Sequence, residues 1–209
     1  GKYIAWFDPK DGDWYCWNLS SGEFVNLTSG LDVAFFDEED DHPLGCFVPA
    51  TSPRWVGEDE ALLIADRYDV WKFSPDGKKI ENLTKGEGRR TGVQYRIIDL
   101  GRRNDPYLYQ NIQSFPKKGK LYLTTFGEET SENGYAVANI AKPSVPQGFT
   151  DKWSFSSTVK AKDAGTIAYL KGNFRNPMNL HITRDEWKTA ECLTDLNRQQ
   201  DGYLWGDVQ

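Results

Sequence analysis

Apolar residues recur along this chain in short runs bounded by turn residues, and almost nowhere with the period of a helix. Residues 2–8 run apolar and aromatic into the turn Pro9-Lys10-Asp11-Gly12. Residues 13–19 follow, with Trp14, Cys16 and Asn18 on one face and Tyr15, Trp17 and Leu19 on the other, a period of two that marks a strand. Ser20-Ser21-Gly22 turns the chain into residues 23–27, so the first unit reads as a three-strand meander. The second unit predicts four strands, at 53–56, 61–66, 68–73 and 79–84. Its turn Ser74-Pro75-Asp76-Gly77 is a strong one, because Pro presets φ and Gly accepts a positive φ. Beyond Gly92 strands are expected at 94–100, 121–126, 134–140, 152–158, 166–170, 179–183 and 191–194, with 142–148 a loop around Pro143 and Pro146. Helix is expected only as a turn or two over 105–113.

The strands end in a recurring signature. Asn26-Leu27-Thr28 returns as Asn82-Leu83-Thr84, and Leu193-Thr194 follows later. The step from Leu27 to Leu83 is 56 residues and that from Leu83 to Leu193 is 110, close to twice as long. A fixed step in a chain of short strands marks a repeat architecture. The predicted fold class is therefore all-β, a single β-propeller segment of about four blades, at 1–50, 51–92, 93–150 and 151–209. Propellers contain ~4–8 blades, so four fit better as part of a larger ring. Unpaired strand edges on the terminal blades predict an edge-to-edge homodimer.

Composition narrows the classes of function. Hydrophobic residues make up 38% and aromatic ones 14%, with 8 Trp, which suits pleated, half-buried sheet surfaces and argues against disorder. With 25 basic and 31 acidic side chains the net charge is -6, and Arg89-Arg90 and Arg102-Arg103 make no basic stripe, so nucleic acid is not an expected partner. No apolar run approaches the ~20 residues of a membrane span, and no signal peptide is visible. Cys16, Cys46 and Cys192 lack metal-type spacing, and Cys16 reads as a small buried residue. The single Met, at Met178, is internal, which points to a piece of a longer chain.

Trp55-x-x-x-Asp59, Asp66-Arg67-Tyr68-Asp69-Val70-Trp71, Pro75-Asp76-Gly77, Asn82-Leu83-Thr84 and Gly86-x-Gly88-Arg89 together resemble the propeller of prolyl oligopeptidase-family serine peptidases, in particular bacterial members with TolB-like or dipeptidyl-peptidase-like repeats. Residues 193–199 with Trp205-Gly206 are similar to the stretch that leads from the last blade of that family towards its hydrolase domain. The resemblance implies a propeller that caps a peptide-cleaving α/β-hydrolase domain, in a periplasmic or extracellular setting. That domain needs Gly-x-Ser-x-Gly, then an acid and a His, and no Gly-x-Ser-x-Gly occurs here. The chain also ends at Gln209, about where the family's catalytic domain would begin. The implied function is non-catalytic: gating the access of peptide substrates to a hydrolase domain outside this chain, with no cofactor and no metal. Some related peptidases hold a substrate's amino terminus with paired propeller glutamates, and the resemblance makes Glu38 and Glu39 the candidates for that contact. The alternative is a free-standing TolB-like module that binds a protein; a glycan-binding propeller has only the aromatic and acidic residues in its favour.

Other chemistry-bearing residues have plainer readings. The acidic run 37–41, followed by His42, lacks the order of a calcium loop and reads as a solvated connection. Asp66 and Asp69 sit at a strand junction, where Asp accepts backbone N–H groups, and are expected to be structural. His181 alternates with apolar residues on a strand, so a packing role is expected. The triplets beginning at Asn18, Asn26 and Asn82 match glycosylation acceptors, but their recurrence at unit ends favours structure.

Overall fold

A computed structural model describes residues 1–43, 45–100, 114–203 and 206 of the chain. It is all-β, built from four antiparallel sheets in chain order. The first holds β1 (Tyr3–Asp8), β2 (Asp13–Asn18) and β3 (Phe24–Asn26). The second holds β4 (Arg54–Val56), β5 (Ala61–Ala65), β6 (Val70–Phe73) and β7 (Ile80–Asn82). In the third are β8 (Val93–Ile97), β9 (Lys120–Gly127), β10 (Asn133–Asn139) and β11 (Gln147–Asp151), and in the fourth β12 (Ser154–Lys160), β13 (Ile167–Gly172), β14 (Asn179–Thr183) and β15 (Glu191–Cys192). Each sheet is a meander, every strand pairing with its sequence neighbour. No helix of the described residues is long and apolar enough to cross a membrane.

The strand reading from the sequence needs three corrections. A short helix, α1 (Glu87–Thr91), lies between β7 and β8, and a 3₁₀ turn occupies Arg198–Gly202. Both are too short to show a period. The strand β11 overlaps the expected loop at 142–148. Its partner is the reason: a Cβ at Gly148 would come within 2.2 Å of the Tyr135 carbonyl, so Gly is what lets this strand lie against β10. The helical turn expected at 105–113 falls outside the described residues.

Apolar side chains leave both faces of the inner sheets, and each face meets the next sheet. Leu62 and Ile64 of β5 join Trp14, Cys16 and Phe73 in one core between the first and second sheets. Ala61, Leu63 and Ala65, on the opposite face of the same strand, join Leu121, Leu123, Ala136 and Ala138 between the second and third. Tyr135, Ile167, Tyr169 and Trp187 fill the seam between the third and fourth. This is why residues 61–65 are uniformly apolar rather than alternating: strand periodicity sends them to two cores, and all are buried. Cys16 sits in the first seam at 1% exposure, where burial, then the charge of Asp59, pushes its thiol up to about 11. Cys46 and Cys192 are exposed.

The Leu-Thr signature has a physical role. The Thr84 hydroxyl donates to Asp69 Oδ1 at 2.6 Å and accepts the Val70 N–H at 3.1 Å. Thr28 repeats both bonds with Asp13 Oδ1 at 2.6 Å and Trp14 N at 3.0 Å, and Thr194 does so with Asn179 Oδ1 and Leu180 N, each at 2.9 Å. In every case the Thr at the end of a sheet's last strand clasps the start of the strand before it, while the preceding Leu N–H bonds the carbonyl of Trp14, Val70 or Leu180. In the third sheet Thr150 instead donates to Glu132 Oε2 at 2.8 Å, and so the sequence step doubles there. The clasp also aligns β1 with β5 and β13. Among the described residues, the first sheet holds no counterpart of β4, β8 and β12.

Thr84 is fully buried and Asp69 nearly so, whereas Thr194 is half-buried. Replacing Thr84 with Val leaves a buried carboxylate short of a donor and is expected to cost about 1–3 kcal/mol. Thr194→Val should cost less, because water can replace the lost bond. Urea unfolding of the two variants, followed by tryptophan fluorescence, measures the order.

Candidate functional site

On the edge of the stack where the β5–β6 turn (66–69), the β9–β10 turn and the 27–53 connection meet, charged side chains converge. The β5–β6 turn is fixed by Asp66, whose Oδ1 accepts the N–H groups of Tyr68 and Asp69 at 2.6 and 2.7 Å while its Oδ2 accepts Trp71 Nε1 at 2.9 Å. Asp69 accepts the Gly88 and Arg89 N–H groups at the start of α1, at 3.0 and 3.1 Å. Both carboxylates are buried and fully engaged, as the structural reading of this pair expects.

The turn aims Arg67 outward. Its Nε donates to Glu128 Oε1 at 2.7 Å and its Nη2 to Glu39 Oε1 at 2.5 Å, so one guanidinium bridges two carboxylates from different connections. Glu128 also accepts the Tyr68 hydroxyl at 2.6 Å and Gln94 Nε2 at 2.7 Å. Arg89 lies over the Tyr68 ring at 4.9 Å and 3.7 Å from Asp66 Oδ2, and Arg96 Nη2 reaches the Arg67 carbonyl at 2.9 Å. Burial raises the Glu128 pKa, but the donors Arg67, Tyr68 and Gln94 outweigh it and hold the carboxyl at about 2. The same contact, with Glu128 first and Glu39 after it, raises Arg67 above its ordinary value. Burial lowers Arg96. At neutral pH the cluster is a network of fixed charges: Glu128 is too weak a base for proton transfer and suits hydrogen-bond acceptance.

Of the residues proposed from sequence, Glu39 is in this cluster and its side chain remains 67% exposed, whereas Glu38 is exposed on the same loop. Glu128 was missed. It lies 61 residues from Arg67 and no local motif connects them. Asp40, Asp41 and His42 place ligand atoms within 4.8 Å of one another, with His42 Nδ1 against Asp40 Oδ1. An exposed acidic cluster of this kind is common without a bound ion. His181 stacks on Tyr169 with ring centroids 5.7 Å apart, and burial followed by Lys171 lowers its pKa, which fits packing. A cleft of about 400 Å³ between the third and fourth sheets is lined by groups including Ile97, Leu100, Thr124, Tyr135, Phe155 and Thr158.

No family model matches the sequence, and no curated protein matches it. A solved prolyl endopeptidase structure shows a weak, distant similarity at 13% identity and a TM-score of 0.29, covering 92% of this chain and 40% of that one. The chain thus spans 40% of the length of that protein. A superposition at this level decides neither fold nor activity, which rest on the sheets and side chains themselves.

Because the folded pKa of Glu128 lies below its ordinary value of 4.5, its contribution to stability is complete above about pH 5 and fades as pH falls towards about 2. Glu128→Gln is expected to lower stability at pH 7 by about 1 kcal/mol. It should also flatten the loss of stability between pH 5 and pH 2, read from thermal midpoints across that range.

Proposed function

We propose that the four sheets are blades of a β-propeller, at 1–50, 51–92, 93–150 and 151–209, and that the chain is the non-catalytic propeller portion of a prolyl oligopeptidase-like serine peptidase. In this reading it gates the access of extended peptides to a hydrolase domain outside the chain, in the periplasm or outside the cell. The observation that carries it is the face-to-face succession of four meanders, with shared cores at each seam and the Thr clasp repeated in three of them. Radial stacking of short antiparallel sheets is the way propellers bury both faces. The motifs from Trp55 to Arg89 and from Leu193 to Gly206 supply the family side of the proposal.

The Glu39–Arg67–Glu128 cluster fits the recognition of a peptide rather than its cleavage. It offers carboxylates and a guanidinium, the groups that pair with chain termini and polar side chains. Glu39, with Glu38 beside it, would contact a substrate amino terminus. A second reading, a free-standing TolB-like module that docks a protein, draws on the exposed Trp17 and Phe24.

The purified chain, incubated with chromogenic prolyl and aminoacyl peptides, is expected to give no turnover above the buffer rate. Steady hydrolysis that co-purifies with the chain to homogeneity overturns the non-catalytic assignment.

A further inference from the structure

We propose that a pocket at one end of the second sheet, where Lys72, Lys79 and Lys117 converge, binds a small oxyanion, a carboxylate or a phosphate. The site stands apart from the Arg67 cluster and does not depend on the blade reading.

Strand geometry brings the groups together. Period-two alternation turns Lys72 and Ser74 to one face of β6, and the register sets Lys72 between Leu63 and Glu81. The Ser74 N–H bonds the Lys79 carbonyl at 2.8 Å, which brings Lys79 alongside. Leu63 belongs to the core shared with the third sheet, so this row of side chains faces that seam. Successive turns of an antiparallel meander lie at alternate ends of the sheet. The pocket takes residues from the β4–β5 and β6–β7 turns, and the turn that carries Arg67 is therefore at the opposite end. Val56 and Ala61 form the apolar part of its lining, and the short Ala61 side chain leaves room beneath the charged groups.

Lys117 reaches the pocket from a short strap. The Phe115 N–H bonds the Trp55 carbonyl at 2.7 Å, and the Gly57 N–H bonds the Phe115 carbonyl at 2.8 Å. These bonds pin the strap along β4 two residues before Lys117.

The distribution of charge leaves a place for an anion. Lys117 pairs with Glu60, and Lys79 Nζ lies 3.0 Å from Glu81 Oε2. That oxygen is closed off from solvent and the contact lacks hydrogen-bond geometry, so it leaves the donors of Lys79 for another acceptor. Among the described residues Lys72 has no carboxylate partner, and its Nζ donates to the Ile140 carbonyl at 3.2 Å. An ammonium carries three donors, and this half-buried one meets only a neutral group. Three lysines against two glutamates give the pocket an excess of positive charge, although the chain as a whole carries -6. At physiological ionic strength exposed charges are largely screened beyond ~8 Å, so the local excess sets the sign of the ligand. The pocket holds about 200 Å³. Drug-sized ligands need ~300–1,000 Å³, so a small ion with its waters is the better fit. Lysine acts as a point charge and accepts a tetrahedral or a planar oxyanion alike.

Amide chemical shifts of the isotope-labelled chain, followed at constant ionic strength while phosphate replaces chloride, test the site. In a second arm N-acetylglycine supplies a chain-terminal carboxylate, with the uncharged N-acetylglycinamide as its control. Saturable shifts are expected at Ala61, Lys72, Ser74 and Lys117, and none at Arg67 or Glu128. Lys72→Met keeps the stem and should weaken binding about tenfold. Lys78→Met, on the neighbouring turn with its side chain 84% exposed, should leave binding unchanged. Glu60→Gln releases Lys117 and should tighten binding about threefold, a gain that a misfolded variant cannot produce. Saturation by phosphate alone identifies a phosphate ligand, and saturation by the acid but not the amide identifies a carboxylate. The proposal is overturned if neither anion gives saturable shifts, if the amide acts as strongly as the acid and phosphate does nothing, or if Lys72→Met binds as the wild type does.

Discussion

A β-sheet with apolar side chains on both faces is stable only when both faces are covered, and everything else in this protein follows from that requirement. The chain satisfies it by laying sheets in succession, each completing the core of the one before. The second and third sheets are enclosed on both sides. Their central strands, β5 and β9, hold Leu62, Leu63, Ile64, Leu121 and Leu123 without measurable exposure. Since a side chain of this size contributes about 1.5–3 kcal/mol when buried, the middle of the stack carries the greater part of the stability. Among the described residues, the first and last sheets each share a core on one face.

Side-chain hydrogen bonds complement this burial at the ends of the strands. Short strands leave backbone groups without ladder partners, and Thr28, Thr84 and Thr194 take them up while returning a hydroxyl to an Asp or Asn. Asp66 does the same for the turn that carries Arg67, and Asp69 for the start of α1. The exposed charges of the candidate site therefore stand on a turn whose own polar groups are satisfied beneath it. That support orders Arg67 enough for one guanidinium to hold Glu39 and Glu128 together.

Much of this was legible in the chain. Period-two alternation placed β2, and the turn residues around Pro75 and Gly77 placed the ends of β6 and β7, because these are local effects. The Leu-Thr recurrence gave the repeat before its cause was visible. What stayed hidden depended on distant partners. β11 carries a Gly and follows two prolines, and only the close approach of β10 makes it a strand. Glu128 looks like any acidic turn residue until the 61-residue separation from Arg67 is folded away. The structural role of Asp66, by contrast, was legible from its turn because its donors Tyr68, Asp69 and Trp71 are nearby in sequence, whereas Asp69 reaches donors at Thr84 and Gly88.

The clasp separates the architecture from the connections that leave it. Each one locks the outer two strands of its sheet before the chain sets out for the next, so the solvent-facing parts of what lies between are free to change length. The passage over 27–53 is long and the one over 83–92 is short, yet both start from the same Leu-Thr geometry. Glu39 rides on the long passage. Insertions beside Glu39 would remodel the rim around Arg67, whereas Phe35 on the same passage is anchored in the first core and bounds how far such changes can reach.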